Sequence, residues 1–282
     1  MKNRILIWVL LGLMLASCHD QEYDMTVVQK TLYEGVAIDE ITAECLWCVT
    51  VRSDENTYVE LEYSAYLEDY LKTQLNGSGL YLGLTRPNSM PGNTVMNATV
   101  HTPSVNKLSF SNAVSVALDG FYSQVPVTLV LDDASTCRGG HFYGDIELQL
   151  SDASTCVEFS FEGANAKLEV SEASTFKGCL YASGELNVTL SKASFLTNYW
   201  GEINHVTAEV VDASSLNMST NFINSMYIAV KSASEATVNV EDSLEGLVQE
   251  ASKLYYSGDP VLHVDCDETS ILQQVDYPNP DK

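Results

Sequence analysis

Positive charge is scarce in this chain of 282 residues. Lys and Arg number 14 against 38 Asp and Glu, a formal net charge of −24. Nucleic acid and anionic lipid head groups would be repelled by such a surface, so neither is expected as a partner. Histidine is sparse as well. His19, His101, His141, His205 and His263 are scattered, and none pairs in sequence with a suggestive Ser or carboxylate. No nucleophile elbow, P-loop, HExxH or EF-hand pattern is present. No catalytic residue is therefore assigned. Long hydrophobic runs are absent except for one from Ile5 to Leu15, which is too short to span a bilayer. Beyond residue 105 helical periodicity is weak as well.

What is present begins at the N-terminus. Lys2 and Arg4 precede the apolar run, and Leu15-Ala16-Ser17-Cys18 closes it. This is a secretory signal ending in a lipobox, and it resembles the bacterial lipoprotein pattern. Cleavage after residue 17 would leave Cys18 as the lipid attachment site and the membrane as a partner through that anchor. Residues 18–30 would form a tether. Asp20, Glu22 and Asp24 resemble the acidic tag that sends some Gram-negative lipoproteins to the outer face of the outer membrane; an ordinary tether on the periplasmic face is the alternative. Loss of residues 1–17 removes Lys2 and Arg4 and no acid, which takes the net charge to −26.

The most regular feature is a phrase: apolar, any, apolar, two polar residues, Ala-Ser, any, apolar. Its Ala residues are Ala134, Ala153, Ala173, Ala193, Ala213, Ala233 and Ala251, with gaps of 19, 20, 20, 20, 20 and 18 residues. A period near twenty means stacked coils. Apolar columns stand five before Ala (Leu129, Leu148, Leu168, Val188, Ala208, Ile228) and three before it (Leu131, Leu150, Val170, Leu190, Val210, Val230, Val248). A third stands three after it (Cys137, Cys156, Phe176, Leu196, Leu216, Ala236, Leu254). Alternation marks strands with one buried face. Leu108, Phe110, Ala113 and Val116 extend the frame upstream; Val264, Cys266, Thr269, Ser270 and Leu272 extend it downstream.

Asp133, Asp152, Glu172, Lys192, Asp212, Ser232 and Glu250 precede Ala, and a Ser follows it in each of these seven coils. A row of charges inside a core would be very costly, so the chain is expected to bend here, with the acid outward and the Ser hydroxyls bonded along the stack. A second bend is expected about ten residues later, where Gly144, Gly163, Gly184 and Asn224 tolerate positive φ. The fold class is all-β: a parallel β-helix-like solenoid capped by an N-terminal β region. Residues 31–106 hold the cap and first coils, residues 107–275 the repeats, and residues 276–282 a tail. An open first edge needs such a cover.

Cys137, Cys156 and Cys266 fall in the apolar columns and are predicted core thiols. Cys45-Leu46-Trp47-Cys48 has redox or zinc spacing but no second pair, and whether it forms a disulfide is open. Asp132, Asp133, Asp152 and Glu172 would stack at about the ~4.8 Å strand spacing, and crowded carboxylates suit Ca²⁺. Solvated, salt-screened acids are the plainer reading. Aromatics recur near the far bend: Phe121, Tyr122, Phe142, Tyr143, Phe161, Tyr181, Tyr199, Trp200 and Phe222. Pointing outward, Tyr143, Tyr181 and Trp200 would make a binding platform for sugar rings; pointing inward, they would be core.

Glu34-Gly35-Val36-Ala37-Ile38, Val49-Thr50-Val51, the Tyr58 to Tyr63 strand, Asp69-Tyr70-Leu71-Lys72, the Asp/Glu-Ala-Ser coils and Ala251 to Pro260 together resemble the head GIN domain, an auto-transporter adhesin family. The likeness covers about residues 31–275. In that family Gly often stands before Ala, where this chain carries Asp, Glu or Lys. The resemblance implies a β-helical, envelope-associated protein and brings no catalytic residues. Three functions follow as expectations: a surface adhesion or binding module for a glycan or host protein, a carbohydrate-active β-helix enzyme, or a purely structural envelope protein.

Overall fold

The computed structural model describes residues 23–85 and 90–276. The signal segment and Cys18 lie outside these residues. The described residues are mostly strand, with one 3-10 turn at Ala65–Leu67, and they form the parallel β-solenoid that the period demands. Among the described residues no helix is long and apolar enough to cross a membrane.

Two long faces run along the stack. On the first, Ala43, Phe110, Leu131, Leu150, Val170, Leu190, Val210, Val230, Val248 and Cys266 pair in strict parallel register. On the second, Val49, Val116, Cys137, Cys156, Phe176, Leu196, Leu216, Ala236, Leu254 and Leu272 do the same. These are the columns at three before and three after Ala. Nearly all are buried, so two stacked sheets share one continuous apolar core.

The N-terminal portion is threaded out of sequence order. Its strands are β1 (Val27–Leu32), β2 (Glu40–Glu44), β3 (Cys48–Ser53), β4 (Tyr58–Ser64), β5 (Leu71–Asn76), β6 (Gly79–Leu84) and β7 (Met96–Thr102). They are followed by β8 (Lys107–Ser111) and β9 (Ser115–Ser123). The β2–β3 coil lies between β6 and β8 on one face and between β7 and β9 on the other. The first edge is closed by antiparallel strands, β5 on β6 and β4 then β1 on β7. Val27 to Lys30 therefore belong to the cap strand rather than to a tether reaching residue 30.

The corner at Ala-Ser has a specific backbone. In every repeat both the polar residue and the Ala take φ between 50° and 62°, as in Asp152 (50°) with Ala153 (62°) and Lys192 (54°) with Ala193 (60°). Two consecutive left-handed residues make a type I′ turn. Such φ costs an L-residue roughly 1–2 kcal/mol. Regular bonds between coils offset it: the Ala134 N–H donates to the Asp152 carbonyl, Ala153 to Glu172, and Ala173 to Lys192, each at 2.8–2.9 Å. Cys45 and Leu46 occupy the same two positions in the β2–β3 coil.

At the far bend the expectation about φ fails. Gly144, Gly163, Gly184 and Asn224 all have ordinary φ; the regularly repeated left-handed pair sits at the Ala corner instead. The glycines serve close approach. A Cβ at Gly144 would stand 2.4 Å from the Val125 carbonyl.

Candidate functional site

The Ser column is structural. Each Ser is buried. The hydroxyls of Ser135, Ser174, Ser214, Ser234 and Ser252 accept from a backbone N–H of the preceding coil, as where Ser154 N–H donates to Ser174 Oγ at 3.1 Å and Ser194 N–H to Ser214 Oγ at 3.1 Å, while the Ser194 hydroxyl donates to the Ser191 carbonyl at 2.7 Å. A hydroxyl so used holds the corner together.

Beside it the acids point outward as expected. Carboxylate oxygens of Asp132, Asp133 and Asp152 lie within 4.8 Å of one another. Ser151 donates to Asp132 Oδ1 at 2.6 Å. A hydrogen bond to Glu172, with the Glu172 charge behind it, pushes the Asp152 carboxyl up to about 6. Glu172 touches the trio only at Asp152. Lys192 in the next coil pairs with it and holds its pKa below the usual range. Asp132, Asp133 and Asp152 form the close trio, and Glu172 adjoins it through its hydrogen bond with Asp152.

The far-bend aromatics divide by alternation. Phe121, Phe142, Phe159, Phe161 and Phe176 are buried, with Phe142 stacked on Phe159 at 4.7 Å. Tyr122, Tyr143, Tyr199 and Trp200 are outside, Tyr143 at 45 % exposure and Trp200 at 43 %. Tyr181 and Phe222 are half-buried. The Trp200 ring meets Tyr181 edge-on at 5.3 Å and 78°, and Tyr143 stacks on His141 at 4.8 Å. Tyr181, Phe222, Glu162 and Glu202 are among the residues lining an open groove of about 640 Å³. Burial and the neighbouring Glu162 and Glu202 charges raise the Tyr181 phenol. Buried and exposed rings are therefore both present near the far bend.

Two groupings escaped sequence reasoning. His101 is buried in the cap, its Nδ1 3.2 Å from Asp54 Oδ2 and its Nε2 3.5 Å from Glu60 Oε2, with Tyr58 stacked on it at 4.0 Å. Asn198, Asn221, Asn239 and Ser257 form an interior ladder; Asn239 Nδ2 donates to the Asn221 carbonyl at 2.7 Å and Ser257 Oγ to Asn239 Oδ1 at 2.9 Å. The signal for the second was a polar residue recurring at 18 to 23 residues, overlooked because the aromatics beside it dominate.

The cysteines correct one expectation. Cys137 and Cys156 are buried and stacked in register, and burial raises the Cys156 thiol. Cys266 is exposed. It occupies the right column but the last coil, where no described strand follows to cover it. Cys45 and Cys48 are free thiols on either side of a corner whose buried residue is Trp47.

The described residues thus form a capped parallel solenoid with exposed rings and an open groove near its far bend. The chain belongs to the family described as "putative auto-transporter adhesin, head GIN domain", whose profile matches residues 37–260. A crystal structure described as a "putative adhesin" from Parabacteroides merdae aligns with TM-score 0.63 at 10% identity, over 89% of this chain and 97% of that one. Two from Parabacteroides distasonis align comparably. One described as a "putative adhesin" has TM-score 0.60 at 14% identity, over 89% and 98% of the two chains. The other, described as a "putative lipid binding protein", has TM-score 0.61 at 12% identity, also over 89% and 98%. At these identities the likeness establishes the fold alone. Among curated proteins none matches this chain.

Proposed function

We propose that this protein is a non-catalytic, lipid-anchored module of the bacterial cell surface that binds a glycan or protein ligand. The observation that carries the reading is the outward aromatic set at the far bend. Tyr143, Tyr199 and Trp200 are large apolar rings left in solvent on one flank of an otherwise ordered stack. Exposed apolar patches of this kind mark interaction sites. The family's adhesin description and the lipobox at Cys18 support a place at the cell envelope, with the acidic residues after Cys18 favouring the outer face of the outer membrane.

The anchor is tested by metabolic labelling with radioactive palmitate. The wild-type chain should incorporate label and Cys18→Ser should not. Binding is tested with residues 19–282 on a glycan and host-matrix array, with and without Ca²⁺. A saturable, selective hit supports the module, and Ca²⁺ dependence would bring in Asp132, Asp133 and Asp152. A blank array shifts the assignment to a structural envelope role.

A further inference from the structure

We infer that the far-bend groove binds an uncharged, β-linked polysaccharide lying parallel to the stack axis. This rests on the binding reading above and names its site and ligand class. Pairing in register sets up one outward row, with one residue from each successive coil. Glu162 pairs with Tyr181, and Glu202 with Phe222. Tyr143 and Glu162 each follow the paired Phe142 and Phe161, and Tyr181 and Glu202 each precede the paired Ala182 and Ile203. The row therefore reads Tyr143, Glu162, Tyr181, Glu202, Phe222: aromatic and carboxylate in strict alternation.

Coils repeat at about 4.8 Å, so successive aromatics stand about 9.6 Å apart. That is close to the length of two rings in an extended chain of equatorially linked pyranoses. In such a ribbon alternate rings present the same face, so every second ring can stack on Tyr143, Tyr181 and Phe222. The intervening carboxylates accept hydrogen bonds from ring hydroxyls, which is the stronger, charge-assisted kind. Asn204 and Asn224, at matching positions of adjacent coils, also line the groove, and Asn224 Nδ2 donates to Asn204 Oδ1 at 3.1 Å along the stack. Trp200 braces Tyr181 edge-on, which fixes one ring of the platform before ligand arrives.

Two other ligand classes fit less well. An acidic polysaccharide meets Glu162 and Glu202 on a chain already at −24. An extended peptide repeats its same-face side chains at about 6.6–6.8 Å, out of step with the rings.

The test is calorimetric titration of the purified protein with linear hexasaccharides of β-linked glucose and of β-linked N-acetylglucosamine. An α-linked glucose hexamer, a galacturonate hexamer and the β-linked trisaccharides serve as comparisons. A β-linked hexamer should bind at least tenfold more tightly than its trimer and than both comparison hexamers. Tyr143→Ala and Glu202→Lys change exposed positions, and each should weaken that hexamer about tenfold with the circular dichroism spectrum unchanged. Phe222→Ala should do the same. Hexamer binding that survives Tyr143→Ala and Glu202→Lys unaltered overturns the inference, as does a preference for the galacturonate or α-linked chain. Absence of hexamer binding alongside a selective protein hit on the matrix array overturns this inference and leaves the binding module standing. Absence of both overturns the two together.

Discussion

Removal of one Ser hydroxyl from the corner ladder should destabilise the whole stack, by an amount that depends on the rung. The Ser194 N–H donates to Ser214 Oγ at 3.1 Å, and both residues are buried. Ser214→Ala takes away that acceptor and leaves a buried donor without its partner, at about 1–3 kcal/mol. The Ser154 N–H also reaches Ser174 Oγ at 3.1 Å, but it has a second acceptor in the Ser151 carbonyl at 3.2 Å. Ser174→Ala should therefore cost less, about 1 kcal/mol. For a domain of this size each kcal/mol lowers Tm by roughly 2–4 °C. The measurement is guanidinium denaturation followed by circular dichroism on both variants and the parent. Equal losses would show that the second acceptor contributes nothing. Losses below about 0.5 kcal/mol at both rungs, the level expected of inert surface changes, would refute the structural reading of the Ser column.

The Asp152 carboxyl is raised to about 6 in the folded chain from an ordinary value near 3.8. The folded state therefore holds the proton more tightly than the unfolded one, and stability should fall as pH rises from about 4 to about 6. Asp152→Asn should flatten that slope and be the more stable form at pH 7, with no advantage below pH 4; a slope unchanged by the substitution would mean the acids do not interact. Gly246 has φ of 137°, and an added Cβ would stand 1.8 Å from the Ile228 carbonyl oxygen. Gly246→Ala should cost more than about 4 kcal/mol, an exceptional loss for one methyl group, and limited proteolysis should find the later coils cleaved. Cys48 and Cys266 should react with a thiol reagent in the native protein, whereas Cys137 and Cys156 should wait for denaturant; equal rates at all four would contradict the burial. Leu148 packs fully buried in the middle of its column, so Leu148→Ala should lower stability by about 2–5 kcal/mol, measured by the same denaturation curves.

The repeat made much of this legible in the chain itself. Within the coils, the residue that touches Leu148 is about twenty positions away on either side, at Leu129 and Leu168. A contact at fixed separation appears as a column, and a column can be read. The outward acids and the buried Ser followed from the cost of placing charge in a core. The need for a cap followed from the open edge. The alternation that separates Phe142 from Tyr143 was also in the sequence. Which of the two pointed outward was not, because the far bend breaks the count from the Ala.

Where contacts leave the fixed separation, the sequence is silent. Asp54 meets His101 across 47 residues, and Glu60 meets it from β4, because the antiparallel cap folds back over the first coils. Nothing local marks that pairing. Nor could composition show that β2 sits between strands made 39 and 67 residues later, with Ile41 paired to Leu80 and to Leu108. Cys266 has the spacing of a core residue, and only its place at the end of the stack leaves it exposed. The left-handed corner ran against local preference: Asp, Glu and Lys take φ that glycine would take more readily, because a ladder of backbone bonds between coils outweighs the intrinsic cost. The chain by itself determined a stack of coils, its columns and its outward charge, since periodicity repeats one local decision many times. The tertiary structure decided the threading of the cap, the hand of the corner and the alternating row at the far bend, since each depends on which strands lie side by side.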